Sequence, residues 1–288
     1  MDVLVAGAGF LGCALAERVA AGGDRVVLAS RGAVAAADRR RLDIGDRAAC
    51  RQVVRDVRPD ALVLVHGPSD VTWCERHPEE ATAVHAGGAA NLGRAAGAIP
   101  TLLISTDNVF AGDQARPVET DRARPANAYG AAKRAAEEIV LAAPGALVLR
   151  CSLVYGLAAA GRSNFFADTA AALERGDVVR APHDQWTTPV LVDDVAAWVA
   201  ALLHAGTAGV LHLGGPERLS RSDWARLIAA RLGADPALVV PVARATTRYA
   251  CRPENTCLAS GRRVAALDGL PPRGVHAAMA YLHAARAA

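Results

Sequence analysis

Aromatic residues are scarce in this chain: Phe, Tyr and Trp number four each, 4% of 288 residues. A large core must therefore be built mainly from the Ala, Val and Leu that dominate the 52% hydrophobic content. Charge of one sign is lacking too. Lys and Arg total 32 against 29 Asp and Glu, a formal net charge of +3, and the arginines are scattered among acids. That balance argues against nucleic acid as the main partner. No apolar run is long enough to span a bilayer, and no basic leader precedes the first strand, so a soluble cytoplasmic protein with no membrane role is expected. The six cysteines (Cys13, Cys50, Cys74, Cys151, Cys251, Cys257) contain no C-x-x-C pair, and neither H-E-x-x-H nor a Cys/His ligand spacing occurs. Buried free thiols in a reducing compartment, and no metal, are expected.

What is present is alternation. Short apolar runs at Val3 to Ala6, Arg25 to Ala29, Ala61 to Val65, Thr101 to Ser105 and Ala146 to Arg150 are separated by helical patterns starting near Phe10, Asp46, Pro78 and Ala126. This order predicts an α/β fold with a doubly wound parallel sheet. Past Arg150 the alternation fades, although Asn164 to Arg175, Asp193 to His204 and Ser220 to Leu232 read as helices and Gly209 to Gly214 as a buried strand. The expected division is a nucleotide-binding Rossmann domain over 1–150, with 190–214 returning to it, and a smaller discontinuous lobe from 151–189 and 215–288.

The first strand runs into Gly7-Ala8-Gly9-Phe10-Leu11-Gly12. Glycines at 7 and 9 let backbone amides approach a pyrophosphate, and Gly12 lets the first helix pack closely on the sheet. The second strand ends Ala29-Ser30-Arg31, where NAD-binding chains usually carry an acid for the ribose 2′-hydroxyl. A hydroxyl and a guanidinium suit a 2′-phosphate, so NADPH is the expected cofactor. Asp43 and Ile44 are placed at the adenine, and His66 and Gly67 at the end of the strand beside the glycine turn.

A second constellation lies further on, in Ser105-Thr106-Asp107-Asn108 followed by Tyr129-Gly130-Ala131-Ala132-Lys133. Tyr129 and Lys133 are one helical turn apart on the same face. Hydride arriving at a carbonyl carbon leaves negative charge on oxygen, so a site for that chemistry needs donors aimed at the oxygen. Tyr129 is read as the acid, Thr106 as the second donor, and Lys133 as a cation that also reaches the cofactor ribose, with Ser105 beside it. Bringing the phenol from about 10 to about 7 takes roughly 4 kcal/mol of differential stabilisation, which the Lys133 ammonium together with the cofactor's charge is expected to supply.

With these residues in place the chain resembles the extended short-chain dehydrogenase/reductases, and within them the dTDP-4-dehydrorhamnose reductase branch. The stretch Ile104 to Gly112 is similar to that branch's S-T-D-Y-V-F-D-G, and Glu119-Thr120-Asp121, Pro125, Tyr129 and Lys133 follow in its order. Arg150 to Gly156, Asn164-Phe165-Phe166, Asp184-Gln185, Pro189 and Arg252-Pro253-x-Asn255-x-x-Leu258 extend the likeness over nearly the whole chain. The resemblance implies NAD(P)H-dependent reduction of a keto sugar carried on a nucleoside diphosphate, with Thr106, Tyr129 and Lys133 catalytic. The chain departs from the branch at Asn108 and Leu153, which stand where the branch has Tyr and Trp against the sugar, and at Thr72, which stands for an Asp.

The substrate-facing residues are expected to be Thr106, Asp107, Asn108, Leu153, Asn164, Gln185, Arg252 and Asn255, with Arg252 as the phosphate clamp. Trp186 and Trp224 are kept out of the site as packing aromatics, and His66 and His85 are read as closing elements near the cofactor. A homodimer is compatible with this reading. Two other functions stay open: an epimerase or dehydratase of the same superfamily, which retains NAD, and a non-catalytic NADP-binding regulatory subunit. Asp107-Asn108 in place of an Asp-Glu pair argues against the dehydratase, and Arg31 against the NAD-retaining epimerase.

Overall fold

The computed structural model describes residues 1–32, 38–157 and 164–287. Seven strands form one parallel sheet: β1 (Asp2–Ala6), β2 (Arg25–Ser30), β3 (Arg39–Arg41), β4 (Ala61–Leu64), β5 (Thr101–Thr106), β6 (Leu147–Cys151) and β7 (Gly209–Leu213). Their order is β7-β6-β5-β4-β1-β2-β3, every pairing parallel. The chain leaves β1 toward β2 on one side and returns to β4 on the other. The carboxyl ends of β1 and β4 therefore flank the switch point, where open α/β sheets bind ligands. The register sets Leu4 beside Val27 and Leu62, all within the buried core. Such strands read as continuous apolar runs because helices cover both faces.

The longer helices are α1 (Phe10–Ala21), α2 (Arg47–Val57), α3 (Gly88–Ala96), α4 (Ala128–Leu141), α5 (Phe165–Glu174), α6 (Val192–Ala205), α7 (Arg221–Leu232) and α8 (Val275–Ala287). Their starts follow from side-chain caps. Asp46 accepts from Ala48 and Ala49 N, Asn127 from Gly130 N, Asn164 from Ala167 N and Ser220 from Asp223 N. Residues of β1, β2, β4, α2 and α3 pack on one face of the sheet, and residues of α1 and α6 on the other. A separate apolar cluster joins Tyr155, from the short strand Val154–Tyr155, with Phe165, Leu173, Trp224, Ile228 and Met279 of α5, α7 and α8. Trp224 is completely buried there, in keeping with its reading as a packing residue.

Two elements depart from the sequence reading. The arginines at 39–41 form an edge strand beside Leu28, Ala29 and Ser30. The residues between β4 and α3 break into a helix at Val71–Arg76, a turn of helix at Pro78–Thr82 and a π-helix at Ala83–Gly87. Among the described residues no helix is long and apolar enough to cross a membrane.

Candidate active site

The crevice at the switch point is built by close backbone contact. Gly7 has φ +123°, and a Cβ there would lie 2.7 Å from Val65 O; a Cβ on Gly12 would lie 1.8 Å from Gly7 O. Only glycines let β1 turn into α1 this tightly against the end of β4. A Cβ on Gly9 would meet nothing within 4 Å, so that side of the turn is open to an approaching group. Phe10 reaches across to Gly156, and Leu11 packs into the core under α1. Ser30 ends β2 half-buried, its carbonyl accepting from Leu42 N at 3.0 Å, and Arg31 stands exposed just beyond. Asp43 bonds its own turn through Gly45 N at 2.9 Å, while Ile44 is buried and packs against Gly88.

His66 follows β4 and is buried, its Nε2 3.1 Å from the His85 carbonyl oxygen. The His85 ring, on the π-helix, lies over Gly67 and stands edge-on to the Tyr129 ring at 5.6 Å. Burial first, and the Lys133 ammonium second, pull His66 down to about 4 and His85 to about 3. Both rings are therefore neutral near pH 7, and the Nδ1 of each has no partner among the described residues.

The end of β5 and the start of α4 meet without intervening side chain. A Cβ on Gly130 would lie 2.0 Å from Asn108 O, so the residue after Tyr129 rests on the turn that follows Thr106. Asn127 fixes this contact: its Nδ2 donates to Asn108 Oδ1 at 3.1 Å and to Cys251 O at 3.2 Å while its Oδ1 caps α4. Thr106 is buried, and its hydroxyl donates to Asp107 Oδ1 at 3.1 Å and accepts from Asn108 N at 3.2 Å and Nδ2 at 3.3 Å. Asn108 is thus an internal brace.

Burial raises the Tyr129 phenol well above its usual value, and the Asp107 carboxylate adds to this; the Thr106 hydroxyl and the Arg252 guanidinium act the other way. Lys133 donates to Ile104 O at 2.6 Å, and burial pulls it down to about 8 against the attraction of Glu137. In the protein without its cofactor, burial outweighs the groups that favour ionisation of the phenol. Ser105 turns its hydroxyl inward to Glu137 Oε1 at 2.5 Å, in a buried set where Arg150 Nη2 reaches Glu137 Oε2 at 2.7 Å.

Arg252 opens a second group. Its guanidinium lies 4.9 Å from the Tyr249 ring centroid, with Arg221 at 4.4 Å and Arg248 at 5.2 Å from the same ring. Arg221 is buried, which lowers it to about 10, and its Nε donates to Gln185 Oε1 at 2.5 Å. Among the described residues neither Arg221 nor Arg252 has an ion-paired carboxylate; Arg248 reaches Asp168 at 3.7 Å. A cavity of about 340 Å³ adjoins this cluster, walled by Phe165, Thr169, Val179, Arg180, Arg248 and Tyr249. Gln185 thus meets the site through Arg221. Asn164 spends its side chain on capping α5 and on Gly156 O at 3.0 Å. Asn255 bonds the Gln114 and Ala115 carbonyls, and Leu153 packs half-buried against the cluster around Tyr155. Arg221, Arg248, Tyr249 and Asn127 were missed in the sequence. Only Asn127, an Asn three residues before a glycine at a helix start, carried a local signal.

With this geometry in view, the profile of the RmlD substrate binding domain matches residues 1–284. The chain belongs to that family. It is 34% identical over 278 residues to a dTDP-4-dehydrorhamnose reductase of Mycolicibacterium smegmatis, covering 94% of this chain and 80% of the relative. A dTDP-4-dehydrorhamnose reductase of Mycobacterium tuberculosis is 37% identical over 244 residues, 80% of this chain and 77% of its own. The crystal structure of a Bacillus anthracis dTDP-4-dehydrorhamnose reductase in complex with NADP superposes with a TM-score of 0.87 at 24% identity, covering 98% of both chains. The family model thus spans nearly the whole described chain.

Proposed function

We propose that the protein is an NADPH-dependent ketoreductase acting on a dTDP-linked 4-keto-6-deoxysugar. The cofactor fits the crevice: the glycine turn admits a pyrophosphate, Arg31 and the edge arginines bring positive charge to the end of β2, and His66 offers a buried acceptor beside Lys133. Once bound, NADPH supplies the hydride to the carbonyl carbon. Tyr129 gives its proton to the carbonyl oxygen, and Thr106, steadied by Asn108, donates to the same oxygen. Lys133 holds positive charge at the end of β5, where it meets the developing phenolate and the cofactor ribose.

In this reading residues 1–150 and 190–214 hold the cofactor, and 151–189 with 215–288 hold the substrate. The observation that carries the substrate class is the convergence of Arg221, Arg248 and Arg252 on Tyr249, two of them without carboxylate partners among the described residues. Three guanidiniums so placed suit a diphosphate. The adjoining cavity takes the nucleoside, and Arg252 is close enough to the phenol to favour its ionisation, which joins the anion site to the proton donor. Six free cysteines and a reduced cofactor suit the cytoplasm.

Calorimetric titration with dTDP tests this without the sugar. Binding is expected in the wild type and should weaken by roughly ten- to a hundred-fold in Arg252→Ala, as for loss of a charge-assisted hydrogen bond of about 1.5–3 kcal/mol. Undetectable binding in the wild type would leave a free small carbonyl compound as the better substrate.

A further inference from the structure

The Thr106 hydroxyl has one proton to give and two lone pairs to fill. To donate to a carbonyl oxygen, it needs both lone pairs taken by other donors. Asn108 supplies them, its backbone N reaching Thr106 Oγ1 at 3.2 Å and its Nδ2 at 3.3 Å, while the Thr106 proton goes to Asp107 Oδ1 at 3.1 Å. Everything depends on which way round the Asn108 amide sits. With its oxygen toward Thr106, the hydroxyl would donate there and be lost to a carbonyl.

The backbone fixes that orientation. Gly130 N can only donate, so the end of the Asn127 amide 2.8 Å away is Oδ1. The other end is then Nδ2, and its protons go to Asn108 Oδ1 at 3.1 Å and to Cys251 O, which can only accept, at 3.2 Å. The Asn108 oxygen is thereby turned to Asn127, and its Nδ2 to Thr106 and, at 2.8 Å, to Asp107 Oδ1. Asn127 and Asn108 are 5% and 8% exposed, so each link is made within the protein.

We propose that Asn127 is a positioning residue that sets the direction of the Thr106 hydroxyl, an inference that rests on the ketoreductase reading. Acting through the Asn108 amide, it keeps both lone pairs of Thr106 Oγ1 filled. When a keto sugar binds, the hydroxyl proton therefore turns from Asp107 to the carbonyl oxygen, and no covalent bond changes as it does so. The same side chain caps α4, which carries Tyr129, so one amide holds the two donors in register.

Two variants test this, and both keep an oxygen to cap α4. Asn127→Asp has no N–H, so its carboxylate draws the Asn108 amide round, and the Asn108 oxygen then takes the Thr106 proton. Turnover of dTDP-4-dehydrorhamnose should fall at least ~10-fold, with NADPH affinity and thermal midpoint close to wild type. Asn127→Ser brings no carboxylate and should lose less. In a Thr106→Val background, Asn127→Asp should cost less than ~2-fold further, because the hydroxyl it misdirects is gone. Helix capping alone would leave Asn127→Asp at wild-type turnover, and packing alone would make Asn127→Ser the worse of the two. Either result, or losses that multiply in the double variant, would overturn the proposal. Neutron diffraction from deuterium-exchanged wild-type crystals reads the orientation with neither substrate nor variant. Deuterons are expected on the Asn108 side-chain atom that faces Thr106, and their absence there would overturn the proposal while leaving the ketoreductase reading intact. Wild-type protein that oxidises no NADPH with the keto sugar would instead overturn that reading, with the neutron result still deciding the orientation.

Discussion

Lys133 Nζ sits 2.6 Å from the carbonyl oxygen of Ile104, two residues before Thr106 on the same strand. The ammonium is thereby anchored to the sheet, next to Glu137 one helical turn on and close enough to His66 and His85 to depress both. Its charge therefore lies at the carboxyl ends of β4 and β5.

Tyr129→Phe keeps the ring and removes the proton. Turnover should fall at least ~100-fold, the low end for losing a general acid, while NADPH affinity measured by fluorescence titration hardly changes. Turnover within a few-fold of wild type would remove Tyr129 from the chemistry.

Lys133 is half-deprotonated at about pH 8 in the free protein, below the 10.5 of an ordinary lysine. NADPH affinity should therefore decline as pH rises above 8, by up to ~10-fold per unit, because binding must draw the proton back. Stability runs the other way: the unfolded chain holds this proton more tightly, so the lysine's contribution to folding improves between pH 8 and 10.5. In Lys133→Met affinity should be weaker and flat over the same range; a sloped profile there would place the titration elsewhere.

Arg31→Asp should turn the cofactor preference from NADPH toward NADH, since a carboxylate repels the 2′-phosphate and accepts from a 2′-hydroxyl. The ratio of kcat/KM for the two cofactors is the measurement. An unchanged ratio would assign the selectivity to the edge strand Arg39–Arg41.

Glu137→Ala would strand the buried Arg150 guanidinium and the Ser105 hydroxyl. Burial alone would raise this carboxyl, yet Arg150 holds it below the usual range, so the pair is well made. Breaking it should cost about 3–5 kcal/mol in urea unfolding. A cost under ~1 kcal/mol would mean that water reaches the Arg150 guanidinium and replaces the lost partner.

The sheet was legible because six of its seven strands are apolar runs, and α7 because it opens with Ser220 as a cap. Strand β3 was not, since an edge strand of three arginines has no buried face and follows no apolar pattern. The Val71–Arg76 helix was hidden by its shortness, with only Asp70 as a cap to announce it. Thr106, Tyr129 and Lys133 stood out through spacing on two neighbouring elements. Arg221 did not, because only tertiary packing brings it from α7 to Tyr249 and Arg252, and Arg248 did not, because its place beside them carries no motif. Gln185 illustrates the same limit: its position was readable, whereas its role as the hydrogen-bond partner of a buried arginine depends on a contact 36 residues away.

The most direct test of the account is to mix the protein with NADPH and dTDP-4-dehydrorhamnose and follow absorbance at the reduced-nicotinamide band together with product mass. The account predicts stoichiometric loss of NADPH and a sugar nucleotide heavier by two hydrogens. Unchanged NADPH absorbance, or an isomerised sugar of the same mass, would contradict it.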